Sequence, residues 1–120
     1  MTISLDITPM PYKRMTRFSK FNAEMQGYYA WRDSIRLLAR SKRFELPDRF
    51  VVTFLLPMPP SWSQKKRDQL EGQPHQQKPD TNNLAKALED ALRDDDEKIW
   101  NVSATKLWAV KGGIQIQTYE

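Results

Sequence analysis

The stretch Lys78–Trp100, KPDTNNLAKALEDALRDDDEKIW, decides how this chain is organised. Pro79 disfavours helical backbone at the residue before it, so a helix should begin just after Pro79, capped by Asp80 or Thr81. Apolar residues then recur at helical spacing and form one stripe, made up of Leu84, Leu88, Ala91 and Leu92. The stretch therefore predicts an amphipathic helix with one face in a core.

A run of acidic residues, Asp94 to Glu97, stands at the C-terminal end of this predicted helix. The helix dipole disfavours an anion there by roughly 0.3–1 kcal/mol, and mutual repulsion adds to that cost. Because a bound cation would relieve both, we favour a cation site over a solvated turn. At the other end, Asp80 is either an N-cap or a metal ligand, and a carboxylate with two oxygens can serve as both.

Three segments carry a recognisable pattern. The first is Lys-Pro-Asp-x-x-Asn-Leu-x-Lys-Ala from Lys78, followed after a gap by Asp-Asp-x-x-Ile from Asp95. The second is the basic Pro-x-x-Arg-Met-Thr-Arg segment from Pro11, and the third is the loop with Pro59-Pro60-Ser61-Trp62-Ser63, Lys65-Lys66-Arg67 and Gly72-Gln73-Pro74-His75. Together they resemble the RusA family of Holliday junction resolvases, especially its phage and prophage members, over most of the chain.

This resemblance implies a metal-dependent endonuclease that makes paired symmetric nicks in four-way DNA junctions during recombination and repair. It gives Asp80 and Asp96 the positions of metal-binding carboxylates, with Asp95 beside the second, and makes Lys86 the functional lysine. The implied cofactor is Mg²⁺, with Mn²⁺ as a substitute, since both prefer oxygen ligands. Asp90 also fits the motif, but we interpret it as a helix-surface acid paired to Lys86 four residues earlier.

One position departs from the family pattern. A carboxylate is usual two residues after the first aspartate, and this chain has Asn82 there. An asparagine carbonyl still ligates a hard cation but brings no negative charge. We count Asn82 among the catalytic and metal-binding positions and expect weak cleavage or none, whether the asparagine is a natural divergence or a deliberate substitution.

Composition fits one soluble domain spanning residues 1–120. Hydrophobic residues make up 39% of the chain and charged residues 28%, and there is no cysteine for disulfides or thiolate metal sites. No apolar run approaches the roughly 20 residues of a membrane helix, and nothing resembles a signal peptide, so we expect a cytoplasmic protein without membrane contact. The net charge of +4 is mild, but acids concentrate between Asp80 and Glu97, leaving a basic surface around an acidic patch.

Two basic segments are candidate DNA contacts. The first interleaves cations with aromatic rings near the N-terminus, and its candidate contacts are Lys13, Arg14, Arg17 and Lys20. The second lies in a long loop that includes a short basic helix over 63–70, with candidate contacts at Lys65, Lys66 and Arg67. Trp62 either stacks at a DNA branch or packs. His75 is predicted to be a plain loop residue.

Periodicity predicts an α+β fold: a small mixed β-sheet with two main helices, in one domain. The expected strands are 3–7, 49–56 (the central one), 102–110 and 114–119, and a helix is expected over 22–41. Lys111-Gly112-Gly113 predicts a hairpin turn.

Three functions are compatible with these patterns. The first is a homodimeric resolvase, since two symmetric nicks suit a two-fold dimer of small subunits. The alternative is a non-catalytic protein of the same fold that binds branched DNA, with Asn82 as the change that ended catalysis. The third is a small basic interaction module, which predicts no metal dependence and no preference for junctions.

Overall fold

The computed structural model describes residues 1–14, 16 and 22–119. In chain order the elements are strand β1 (Thr2–Leu5), helix α1 (Ala23–Ser41), strand β2 (Arg49–Pro57), helix α2 (Gln64–Leu70), helix α3 (Thr81–Leu92), a 3-10 turn (Asp96–Lys98), strand β3 (Asn101–Ala109) and strand β4 (Gly113–Thr118). The α+β prediction with two main helices is confirmed, and the first strand ends two residues earlier than expected.

The sheet is mixed, with strand order β1-β4-β2-β3. β2 pairs in parallel with β3 and antiparallel with β4, which confirms the prediction that it is a central strand. β3 and β4 are therefore not neighbours, and the predicted hairpin at Lys111-Gly112-Gly113 is wrong. The short link between β3 and β4 (residues 110–112) instead carries the chain past β2, because β4 pairs with β1 and β2.

Gly112 in this link is required by a close approach to the segment after β1. A Cβ at this position would overlap the Thr8 side chain and come within 2.9 Å of the Thr8 Cα. Gly112 therefore allows the link to pack tightly against Thr8 and is not part of a hairpin turn.

Helices α1 and α3 share one core with the inward face of the sheet. On β2 every second residue is buried, from Phe50 to Leu56, as a strand with one covered face requires. On α1, Tyr28, Trp31 and Ile35 are buried at helical spacing, while Leu37 is exposed. On α3 the stripe is also confirmed, and Ala85 and Ala87 join it in the core.

The loop before α3 covers the outer edge of β3. The Trp108 amide donates to the Gln73 carbonyl at 2.9 Å, and the His75 amide donates to the Lys106 carbonyl at 3.0 Å. Trp62 packs on Trp108 with ring centroids 4.7 Å apart, so it is a packing residue here. His75 lies in this loop as predicted but is buried against Trp108. In the described part of the chain, no helix is long and apolar enough to cross a membrane.

Candidate active site

The first candidate ligand, Asp80, occupies the N-cap position of α3. Its backbone is extended, as an N-cap requires, but its side chain makes no capping hydrogen bond. The carboxylate is exposed and faces a cavity of about 460 Å³. Lys13 and Lys78 line the same cavity, and Asp80 lies at a helix N-terminus, where the helix dipole favours negative charge.

Two contacts fix the backbone around Asp80. The Tyr12 amide donates to the Asn83 carbonyl at 3.1 Å, which holds the start of the basic segment against α3. The Lys106 ammonium donates to the carbonyls of Gln77 and Pro79, at 2.7 and 2.8 Å. A lysine on β3 therefore holds the loop in place immediately before the candidate site.

A polar face of α3 runs away from Asp80. Asn82, Lys86 and Glu89 follow at spacings of four and three, so they share this face. The Lys86 Nζ lies 4.4 Å from the centroid of the Tyr12 ring, a cation–π arrangement that holds the charge beside the basic segment. Glu89 is half-buried. Its burial is the main cause that raises its pKa above the ordinary value, and the charge of Asp96 adds to this rise, whereas Lys86 opposes it.

Asp90 does not have the partner that helical spacing suggested. It accepts a hydrogen bond of 2.9 Å from the Tyr28 hydroxyl, and Arg32 lies 3.8 Å away. The prediction of a Lys86–Asp90 pair is wrong, because α1 packs on this side of α3 and supplies both partners. Lys86 is left to face Tyr12.

The surroundings of the acidic run, Asp94 to Glu97, differ from those that the sequence predicted. Helix α3 ends at Leu92, and the acids after it belong to a turn in which Asp95 precedes the 3-10 segment. Arg93 donates to Asp95 at 2.8 Å and to Asp48 at 2.7 Å. The Arg93 hydrogen bond is the main cause that lowers the pKa of Asp95. An arginine of the chain itself thus relieves part of the negative charge that a bound cation was predicted to relieve.

The oxygen donors predicted to hold Mg²⁺ fall into two groups. Asp80 and Asn82 lie at the start of α3, whereas Asp95 and Asp96 follow its end. The 12 residues of α3 span about 18 Å at 1.5 Å per residue. Across residues 1–14, 16 and 22–119, no three His, Cys, Asp or Glu side chains are grouped to hold a metal ion. In the described part of a single chain, the predicted acidic ligands therefore form no ready-made cluster of three.

Comparison with protein families decides the relationship. Residues 6–119 match the family model described as Endodeoxyribonuclease RusA. The chain belongs to the RusA family. A comparison with curated proteins finds no match. Membership implies a DNA endonuclease of the Holliday junction resolvase class, and nucleases of this family generally depend on a divalent metal ion.

The predicted DNA contacts of this RusA chain have different surroundings. Lys13 is paired with Glu24, whereas Arg14 and Lys65 are exposed. Lys66 lies over the Trp62 ring, with Nζ 4.2 Å from the centroid. Arg67 donates to the Pro59 carbonyl, at 3.2 Å, and so braces its own loop. Arg17 and Lys20 lie outside the described residues.

The sequence analysis did not predict several residues that shape the candidate site. Arg93 was detectable, since an arginine directly before a run of aspartates is a ready partner for them. The role of Tyr28 depends on a contact between α1 and α3. The role of Lys106 depends on a contact between β3 and the loop before α3. Such contacts link residues far apart in sequence, and helical or strand periodicity carries no information about them.

Proposed function

We propose that this chain is a subunit of a homodimeric, Mg²⁺-dependent nuclease that recognises four-way DNA junctions in the cytoplasm. The match to the RusA family over residues 6–119 carries this proposal. Asp80, Asn82, Lys86 and Asp96 are its catalytic positions, and Asp80, Asn82, Asp95 and Asp96 its metal positions. Mn²⁺ is expected to replace Mg²⁺, since both accept oxygen ligands.

The homodimer has a specific role in this proposal. Asp80 and Asp96 stand at opposite ends of α3 in one chain. A two-fold partner that packs antiparallel along this helix would set Asp96 of the partner subunit beside Asp80. Two such composite sites would face opposing strands of one junction, as paired nicks require.

The chain's own side chains support phosphate chemistry beside Asp80. Lys13, which is paired with Glu24, and Lys78 line its cavity, and Lys78 offers positive charge to a DNA backbone. Lys86 is held over Tyr12, which positions a cation where negative charge develops on the substrate phosphate.

Asn82 favours a second candidate function. The side chain is exposed on the polar face of α3 and brings no charge. With a neutral residue there, the same fold would bind branched DNA and cut it weakly or not at all. We propose this binding role as the alternative to full catalysis.

Cleavage of a labelled synthetic four-way junction tests both candidates. Asn82→Asp is expected to cut faster than the unaltered chain by roughly 10–100-fold, the range typical of changes around a metal site. Gln115→Glu is the matched control, because it adds the same charge at an exposed position on β4, outside α3, and it should bring no gain. Linear duplex should remain uncut in every reaction.

The outcomes separate the candidates. Cutting by Asn82→Asp alone supports a weakened resolvase and the site assignment. Equal cutting by the unaltered chain and by Asn82→Asp shows that cleavage does not need a negative charge at position 82. If neither cuts and neither prefers the junction over linear duplex, the proposed function is wrong and the basic interaction module gains support.

A further inference from the structure

A cleft of about 680 Å³ lies where the C-terminal ends of α1 and α3 meet. Three of its lining residues are arginines from α1 and the turn after it, Arg36, Arg40 and Arg43. Helix α3 contributes Ala91 and Leu92. The cleft is separate from the cavity beside Asp80, which is lined by the other end of α3.

The three arginines differ in how they are held. Arg36 donates to the Ala91 carbonyl at 2.8 Å and so links the two helix ends. Arg40 and Arg43 are exposed, and within the described part of the chain their guanidinium groups have no hydrogen bond or ion pair. Glu45 and Asp94 also line the cleft but form no ion pair with any of the three. Two forked donors thus remain available to a ligand.

Arg43 holds a position that usually favours glycine. The Phe44 amide donates to the Ala39 carbonyl and the Arg43 amide to the Arg40 carbonyl, which is the pattern of a Schellman C-cap. Arg43 has φ 53°, in the left-handed region that side chains with a Cβ rarely adopt. The chain therefore places a guanidinium at the mouth of the cleft in a backbone conformation that disfavours arginine.

We propose that this cleft binds backbone phosphates of a DNA arm as it leaves the acidic run. Guanidinium groups match phosphate oxygens two at a time, and this geometry suits a phosphodiester. Asp94, in the same cleft, opens the acidic run, so an arm seated here would continue towards Asp96. The proposal rests on the proposed junction-binding function and adds a contact that the candidate basic segments do not supply.

Junction binding measured in EDTA over a series of salt concentrations tests the proposal. Arg40→Gln and Arg43→Asn should each reduce the slope of log K against log salt by about 1 per subunit, which is about 2 for the proposed homodimer, and the double variant should reduce it by about 4. Asparagine suits position 43 because it tolerates the left-handed region. Lys42→Gln is the matched control, since it removes an exposed cation from the same helix end but outside the cleft.

Thermal unfolding of each variant confirms that the fold is intact. A slope unchanged by Lys42→Gln and reduced by both arginine variants supports the cleft as a phosphate site. If the arginine variants match Lys42→Gln while the unaltered chain still prefers junctions, the cleft proposal is overturned and the proposed function stands. If the unaltered chain shows no junction preference, both are overturned.

Discussion

The Tyr28 hydroxyl donates a hydrogen bond of 2.9 Å to the Asp90 carboxylate and so joins α1 to α3. Burial is the main cause that raises the pKa of Tyr28, and the bond to Asp90 adds to it, so the hydroxyl stays protonated and donating. The Tyr12 ring meets Tyr28 edge-on at 6.0 Å, and Lys86 lies over Tyr12. The contact therefore belongs to a chain of packed groups that ends at the candidate catalytic lysine.

Removing the acceptor of this bond should destabilise the protein. Asp90→Ala leaves a buried hydroxyl without its partner, which costs about 1–3 kcal/mol, whereas Tyr28→Phe should cost about 0.5–1.5 kcal/mol. Denaturant unfolding measures both. Asp33→Ala, at an exposed pair on α1, should change the free energy of unfolding by less than about 0.5 kcal/mol. Equal losses for Asp33→Ala and Asp90→Ala would contradict a structural role for the bond.

Mixing two inactive variants should restore nicking. In an Asn82→Asp background, Asp80→Asn and Asp96→Asn are each expected to abolish junction cleavage. A mixed dimer would retain one intact site if Asp80 works with Asp96 of the partner subunit, and the readout is single nicks in a labelled junction. If each site lies within one chain, both sites of the mixed dimer carry a lesion and the mixture stays inactive. Subunit exchange before the assay is the necessary control.

His75 should make stability depend on pH. Burial, followed by the charge of Lys106, lowers the pKa of His75 from its ordinary value of 6.5. The unfolded chain therefore takes up a proton before the folded protein does, so stability is full above the ordinary pKa and falls as pH drops below it. His75→Phe keeps a ring beside Trp108 and removes the titration. Unfolding free energies between neutral pH and about pH 5.5 should show a weaker slope for this variant.

Two glycines should respond in opposite directions to alanine. Gly112→Ala drives a methyl group into Thr8 and should destabilise the protein by about 1–3 kcal/mol. Gly27 lies within α1 with open space around its missing Cβ, so Gly27→Ala should stabilise by about 0.5–1 kcal/mol. Midpoints of thermal unfolding compare the two variants. A gain for Gly112→Ala would show that the link after β3 is looser than its contacts indicate.

Local patterns predicted the elements of this fold well. The stripe on α3 and the alternation on β2 each report one buried face, which is a property of neighbouring residues. Strand order was not predictable in the same way. Two consecutive strands joined by a short glycine link predict a hairpin at Gly112, but the placement of β4 depends on β1, more than 100 residues earlier.

The sequence proposes a set of site residues but not their geometry. The motif suggests Asp80, Lys86 and Asp96 from their order along the chain, and these assignments stay predictions. It could not report that α3 keeps Asp80 and Asp96 apart, nor that Arg93 is bound to Asp95. Helix length and side-chain pairing across loops decide these points, and both depend on the folded arrangement.

The order of strands also determines how the sheet would come apart. β4 stands between β1 and β2, so two of the three strand pairings in the described sheet involve residues 113–118. β1 and β2 share a sheet only through β4, whereas β2 and β3 pair directly. A change that dislodges β4 would therefore detach β1 from the sheet and leave the parallel pair of β2 and β3 in place.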